Sequence, residues 1–186
     1  MSDNIRIAAI CGSLRKGSYN AMALEAAKAA APDGVEVDII RLNGVELYDA
    51  DLEKEGWPPG VQRLRERVEP ARAVLFATPE YNYSIPGVLK NAIDWLSRPT
   101  GEGPLYGKPA AVMGASTSLT GTARAQAHMR SVCFYNAMPL LASSEVLIYR
   151  ASERFDDSGL VDEKSLEKVA ELMTAFVDLI RRYPEA

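Results

Sequence analysis

Histidine is almost missing: His128 is the only one in 186 residues. A histidine-rich metal site is thereby excluded, and any Ser/His/Asp triad would depend on that single side chain, which reads as helix surface. Cysteine is scarce too. Cys11 ends an apolar run and Cys133 sits in a helical pattern, with neither CxxC nor metal-ligand spacing, so both read as buried free thiols. No apolar run approaches the roughly 18 residues a membrane span needs. The opening from Met1 to Arg6 is polar apart from Ile5, where a secretory leader requires a basic start and an apolar stretch. A cytoplasmic protein with no membrane partner is the expectation. Basic residues are not in excess either: 21 Lys and Arg against 25 Asp and Glu give a formal charge of −4. A broadly basic nucleic-acid surface is therefore not expected. Internal repeats, low-complexity stretches and linkers are also lacking. What the chain does have is a composition 47% hydrophobic and 25% charged, that of a globular domain long enough to bury a substantial core. One domain over residues 1–186 is expected.

The apolar pattern alternates between two periods. Residues 5–11 are a mostly apolar run, as in a strand buried on both faces. Residues 20–31 are Ala-rich with helical spacing, closed by Pro32, Asp33 and Gly34. Val35, Val37 and Ile39 then alternate with Glu36 and Asp38, the period of a half-exposed strand near a sheet edge, beside the first strand. Residues 43–60 read as a long surface connection, after which Val61, Leu64 and Val68 mark a short amphipathic helix. A buried strand over 73–78, a helix over 88–97, a strand over 109–115, a helix over 122–135 and a fifth strand within 140–149 follow. Leu166, Val169, Met173, Phe176, Val177 and Ile180 form the clearest helical stripe, with Asp162 at its N-cap. Five strands alternating with helices specify a doubly wound α/β sheet, whose ligands bind beyond the carboxyl ends of the strands.

Three loops at that end have unusual sequences. The first, Gly12-Ser13-Leu14-Arg15-Lys16-Gly17-Ser18-Tyr19-Asn20, joins a strand to a helix start. Its serine hydroxyls, two glycines, arginine and helix-terminal amides suit an anion such as phosphate. It lacks both the GxGxxG spacing of dinucleotide folds and the ending of a Walker loop, and an ordinary Gly/Ser turn is the alternative. The second, Pro79-Glu80-Tyr81-Asn82-Tyr83-Ser84-Ile85-Pro86-Gly87, offers flat aromatic surface and a stiffened backbone to a planar heteroaromatic ring. Alternatively it covers the sheet, with its tyrosines packed on the core. The third, Ser116-Thr117-Ser118-Leu119-Thr120-Gly121, adds a polar wall. Together they describe a site for a phosphorylated planar cofactor, which a flavin mononucleotide fits.

The first loop, and the run from Pro79 to Trp95, resemble the two signatures of the NADPH-dependent FMN reductase family, and the likeness extends across the whole chain to its bacterial quinone, chromate and ferric reductases. The resemblance implies a flavodoxin-like fold: a five-stranded parallel sheet, strand order 2-1-3-4-5, helices on both faces. It implies bound FMN, NADH or NADPH as hydride donor, small-molecule acceptors and a homodimer or homotetramer. By the same resemblance Ser13, Arg15, Ser18, Tyr19 and Asn20 surround the phosphate. Pro79, Glu80, Tyr81, Asn82, Tyr83, Ser84 and Ser116 line the ribityl chain and isoalloxazine. No catalytic side chain and no metal is expected, since a flavin carries the chemistry itself. Helices over 87–97 and 122–135 are expected to meet a second subunit, with Trp95 and Met129 as exposed apolar residues and Arg124 and Glu145 as charged partners. Competing readings are a flavodoxin-type electron carrier without NAD(P)H turnover, a non-redox phosphate-ligand domain, and a hydrolase using Asp94, Glu80 or His128.

Overall fold

Runs of Ile, Val, Leu, Phe and Ala with little polar interruption pair side by side, because only a sheet covered on both faces buries them completely. In the computed structural model, which describes residues 4–183, these runs are β1 (Ile5–Cys11), β2 (Val35–Arg41), β3 (Ala73–Ala77), β4 (Ala110–Ala115) and β5 (Val146–Ile148). All pair in parallel, in the order β2-β1-β3-β4-β5. The connecting helices are α1 (Tyr19–Ala29), α2 (Ala50–Glu55), α3 (Pro59–Val68), α4 (Gly87–Leu96), α5 (Ala123–Tyr135), α6 (Ala151–Arg154) and α7 (Glu163–Arg181). A small antiparallel hairpin, β6 (Phe155–Asp156) with β7 (Gly159–Leu160), separates α6 from α7.

Alternation along β1 divides the core in two. Ile5, Ile7, Ala9 and Cys11 face α1 and the apolar stripe of α7, while Ala8 and Ile10 face α3, α4 and α5. As expected of an edge strand, β2 buries Val37 and Ile40 but exposes Glu36. The register sets Cys11 beside both Arg41 and Ala77, and Ala77 beside Met113, so the strands end level and their loops leave from one end. The chain steps from β1 to β2 on one side, then returns to β3 on the other. That reversal opens a crevice between the loops after β1 and β3, where doubly wound sheets bind ligands.

Several details depart from the sequence pattern. The 43–60 connection contains α2, capped by Asp49, whose Oδ1 accepts the Asp51 amide at 2.8 Å. None of its residues is buried, so it has no apolar stripe to read. The β6–β7 hairpin is equally silent in sequence: two residues per strand give no period, although Phe155 and Leu160 are buried and Phe155 stacks 5.1 Å from Tyr19. Trp95 and Met129 are not surface residues but fully buried. Trp95 Nε1 donates to the Glu46 carbonyl at 2.8 Å, and its ring meets Tyr48 and Trp57 edge-on. A large indole is best accommodated inside when its N–H finds an acceptor, and the 45–57 segment supplies one. Burial of Cys11 and Cys133 agrees with the sequence reading. Burial also pushes the Cys133 thiol up to about 12, so it stays protonated near neutrality.

Candidate functional site

The loop after β1 is fixed from below and open above. Gly12 N donates to the Ala77 carbonyl at 2.8 Å, and a side chain at Gly12 would press on Ala77 O, Leu89 and Pro79. Glycine there lets the first and second loops sit against each other. Ser13 is buried, its Oγ accepting the Arg15 amide at 3.4 Å and its carbonyl taken by Cys11 Sγ and Arg41 Nη2. Ser18, also buried, is the N-cap of α1, accepting the Ala21 amide at 3.3 Å. The Tyr19 and Asn20 amides therefore stand at the positive end of the helix with no intrahelical acceptor. Arg15, Lys16 and Gly17 are exposed, with open space around Gly17. Asn20 has a different task from its neighbours. Its side chain donates to the Ala115 carbonyl and accepts the Ala115 amide, both at 2.9 Å, pinning the start of α1 to the end of β4.

The loop after β3 is a tight turn held in an uncommon conformation. Tyr81 and Ser84 exchange backbone hydrogen bonds of 3.0 and 2.9 Å, and the residues between them, Asn82 (φ +51°) and Tyr83 (φ +65°), are both left-handed. This is the type I′ arrangement, usually built with glycine. An aromatic residue there costs on the order of 1–3 kcal/mol and persists only when its surroundings impose it. Here α5 imposes it. The Arg124 guanidinium lies 3.8 Å from the centre of the Tyr83 ring. Glu80, almost buried, pairs with Arg124 Nη1 and accepts the Arg124 and Ala125 amides at 2.9 and 3.2 Å. Ser84 Oγ and His128 Nδ1 lie 2.9 Å apart. Arg124 and His128, one helical turn apart, thus grip the loop, a pairing that sequence spacing alone does not reveal. Tyr81 and Tyr83 are exposed, Tyr83 at 68%, so the tyrosines do not pack on the core.

Ser116 begins the third loop, which is bonded mostly to itself. Ser116 Oγ accepts the Ser118 amide at 3.2 Å, Ser118 Oγ donates to the Gly121 carbonyl at 3.1 Å, and Ser116 N donates to Ile148 O at 2.9 Å. Buried Thr122 packs beneath it, where any side chain at Gly114 would collide with Thr122 and the Thr78 carbonyl. The residues of the hydrolase reading are each engaged by a neighbour: Asp94 pairs with Lys90, Glu80 with Arg124 and His128 with Ser84. Within the chain, Glu145 pairs with Arg130. Among the described residues no group of His, Cys, Asp or Glu is arranged for a metal ion, and no helix is long and apolar enough to cross a membrane.

The three loops thus present, side by side, a helix N-terminus with exposed basic side chains, an exposed tyrosine turn and a hydroxyl-rich wall. Comparison with known proteins agrees with that combination. Residues 5–153 match the model of a family described as NADPH-dependent FMN reductase. An NAD(P)H-dependent FMN reductase of Pseudomonas aeruginosa is 47% identical over 183 residues, covering 98% of each chain. A quinone reductase of Escherichia coli is 37% identical, again over 98% of each. The structure of FerB, a flavoenzyme NAD(P)H:(acceptor) oxidoreductase from Paracoccus denitrificans, superposes with a TM-score of 0.86 at 35% identity, covering 96% of this chain and 98% of that one. With this sheet order, these loops and these relatives, the chain belongs to the NADPH-dependent FMN reductase family of flavodoxin-like oxidoreductases, which use FMN and take electrons from NAD(P)H.

Proposed function

We propose that this chain is an FMN-dependent NAD(P)H:acceptor oxidoreductase that reduces quinones, with chromate, ferric complexes, azo compounds and free flavin as further candidate acceptors. The observation that carries this reading is the juxtaposition, across the β1/β3 reversal, of an anion-binding helix start and an exposed aromatic turn. The residues fit the cofactor. A terminal phosphate suits the Tyr19 and Asn20 amides, the Ser13 and Ser18 hydroxyls and the Arg15 charge, with open space left at Gly17. A planar ring suits the exposed faces and stiff backbone between Pro79 and Ser84, and Ser116 lies at the neighbouring strand end. Within that group Asn20 and Glu80 act through the backbone they hold in place, since their side chains are committed to Ala115 and to α5.

Bound FMN supplies the redox chemistry, taking hydride from NAD(P)H and passing reducing equivalents to the acceptor. The protein needs no nucleophile for this; its part would be to hold the phosphate with the loop after β1 and the start of α1, and the ring with the backbone between Pro79 and Ser84. With donor and acceptor sharing the exposed side of the site at Tyr81 and Tyr83, ping-pong kinetics and broad acceptor tolerance would be expected. We further propose a single domain over residues 1–186, a cytoplasmic location, and a homodimer or homotetramer. The test is a visible spectrum of the purified protein before and after anaerobic NADH or NADPH, with extraction of the chromophore. Recovery of FMN and its bleaching by the nucleotide are expected. FAD, no flavin after incubation with excess FMN, or a flavin that NAD(P)H leaves oxidised as in an electron carrier would reject the assignment.

A further inference from the structure

Arg41 is the last residue of β2 and is paired in register with Cys11, the last residue of β1. The sheet therefore delivers its guanidinium directly beneath the loop that begins at Gly12. Nη2 donates to two carbonyls of that loop, Ser13 O at 3.1 Å and Arg15 O at 2.7 Å. Nε is buried without a partner. Among the described residues no carboxylate comes within ion-pair distance of Arg41, whereas Arg6 and Arg67, which also reach β2, share Asp38. A guanidinium is always charged at physiological pH, so this is positive charge without a local counter-ion, held against a loop.

The two hydrogen bonds also have a geometric consequence. In a trans peptide the carbonyl of one residue and the N–H of the next point in opposite directions. Holding the Ser13 and Arg15 carbonyls toward Arg41 turns the Leu14 and Lys16 amides to the other side, where Leu14, Arg15 and Lys16 are exposed. The Arg15 amide between them is donated to Ser13 Oγ, so the Leu14 and Lys16 amides are the two that this exposed side of the loop offers to an anion. Arg41 therefore sets how the loop presents these two amides and adds charge behind them.

Resting on the phosphate cradle proposed above, we infer that Arg41 is the positioning residue that makes this site select a phosphorylated flavin over its unphosphorylated counterpart. The test compares FMN with riboflavin, titrated into apoprotein by fluorescence, for the parent, Arg41→Gln and Arg41→Lys, with circular dichroism as the check on folding. Arg41→Gln should weaken FMN by about 10- to 100-fold and riboflavin by less than about threefold. Arg41→Lys keeps the charge but not the two-carbonyl grip, and should weaken FMN alone by about tenfold. Equal loss of both flavins, the mark of a general loop brace, would overturn the inference, as would parental FMN affinity in either variant. If Arg41→Gln does not fold, the Arg41→Lys pair of affinities decides by the same criteria. A parent that binds both flavins equally removes the phosphate cradle itself. A parent that prefers FMN, with variants that keep the full preference, removes only the role of Arg41.

Discussion

Ser18 serves both the fold and the candidate site. Its hydroxyl caps α1, so Ser18→Ala should lower stability by about 1 kcal/mol in urea melts and also weaken FMN. Arg15 is exposed and braces little, so Arg15→Ala should weaken FMN by about 1–3 kcal/mol with melting unchanged. Unchanged FMN affinity in both variants would remove the cradle. The sequence pattern singled out both residues as phosphate contacts. It did not show that Ser18 is a cap, because that requires knowing the helix begins at Tyr19, nor that the Asn20 side chain is occupied by a strand 95 positions away. A second residue-scale expectation concerns acid. The Arg67 hydrogen bond, opposed by burial and aided by the Arg67 charge and Arg6, holds Asp38 below its usual 3.8. Its folded pKa is thus lower than its unfolded one, so the stabilisation is complete above the usual carboxylate range and is lost as pH falls through the folded value. Asp38→Asn should therefore cost about 1–2 kcal/mol near neutral pH, and the gap to the parent should narrow at an acid pH below the ordinary carboxylate value. Denaturant melts at the two pH values decide it, and a gap that is the same at both would sink the linkage.

Among the elements, α5 depends on a residue outside itself. Thr122 makes no side-chain capping bond, and the first amides of α5 go instead to Glu80, which also pairs with Arg124. One carboxylate thus starts a helix and fixes the strained turn that carries Tyr81 and Tyr83. Glu80→Ala should destabilise by about 2 kcal/mol and weaken FMN, whereas Glu80→Gln should keep part of the capping and lose mainly the ion pair. Thermal melts and flavin titration of the two variants test this; an alanine variant as stable as the parent would mean that the cap is dispensable. The strands were legible because complete burial forces apolar runs, and α7 because its stripe spans about four turns. Elements that bury little, such as α2 and the β6–β7 hairpin, leave no period to detect. The left-handed turn at Asn82 and Tyr83 was hidden for another reason: its residues are not those the backbone prefers, and contacts from α5 override local preference.

At the scale of the whole molecule, the alternation of strands and helices was enough for the sheet, but the surface was misread. A helical stripe uncertain by a residue turns an inward side chain outward, and Trp95 and Met129 lie inside. The apolar residues that α5 does expose are Phe134 and Tyr135, at 87% and 66%. Tyr135 lines a groove between α4 and α5 together with Lys90, Asp94 and Ser131. For the proposed oligomer, two neighbouring exposed aromatics on the helix that also braces the tyrosine loop are the candidate contact for a second copy. Burying a phenyl ring contributes about 1.5–3 kcal/mol, and an isologous interface counts it twice. Phe134→Glu should therefore weaken a dimer by at least about a hundredfold while leaving the fold intact, because the side chain touches little of its own chain. Light scattering across dilution, on FMN-loaded parent and variant, reads this directly. The expected result is a parent that stays dimeric or tetrameric at micromolar concentration and a variant that dissociates and loses quinone reductase activity as it does so. A parent that is monomeric and fully active would show that one chain completes the site, and a variant that remains assembled would place the interface elsewhere on the surface.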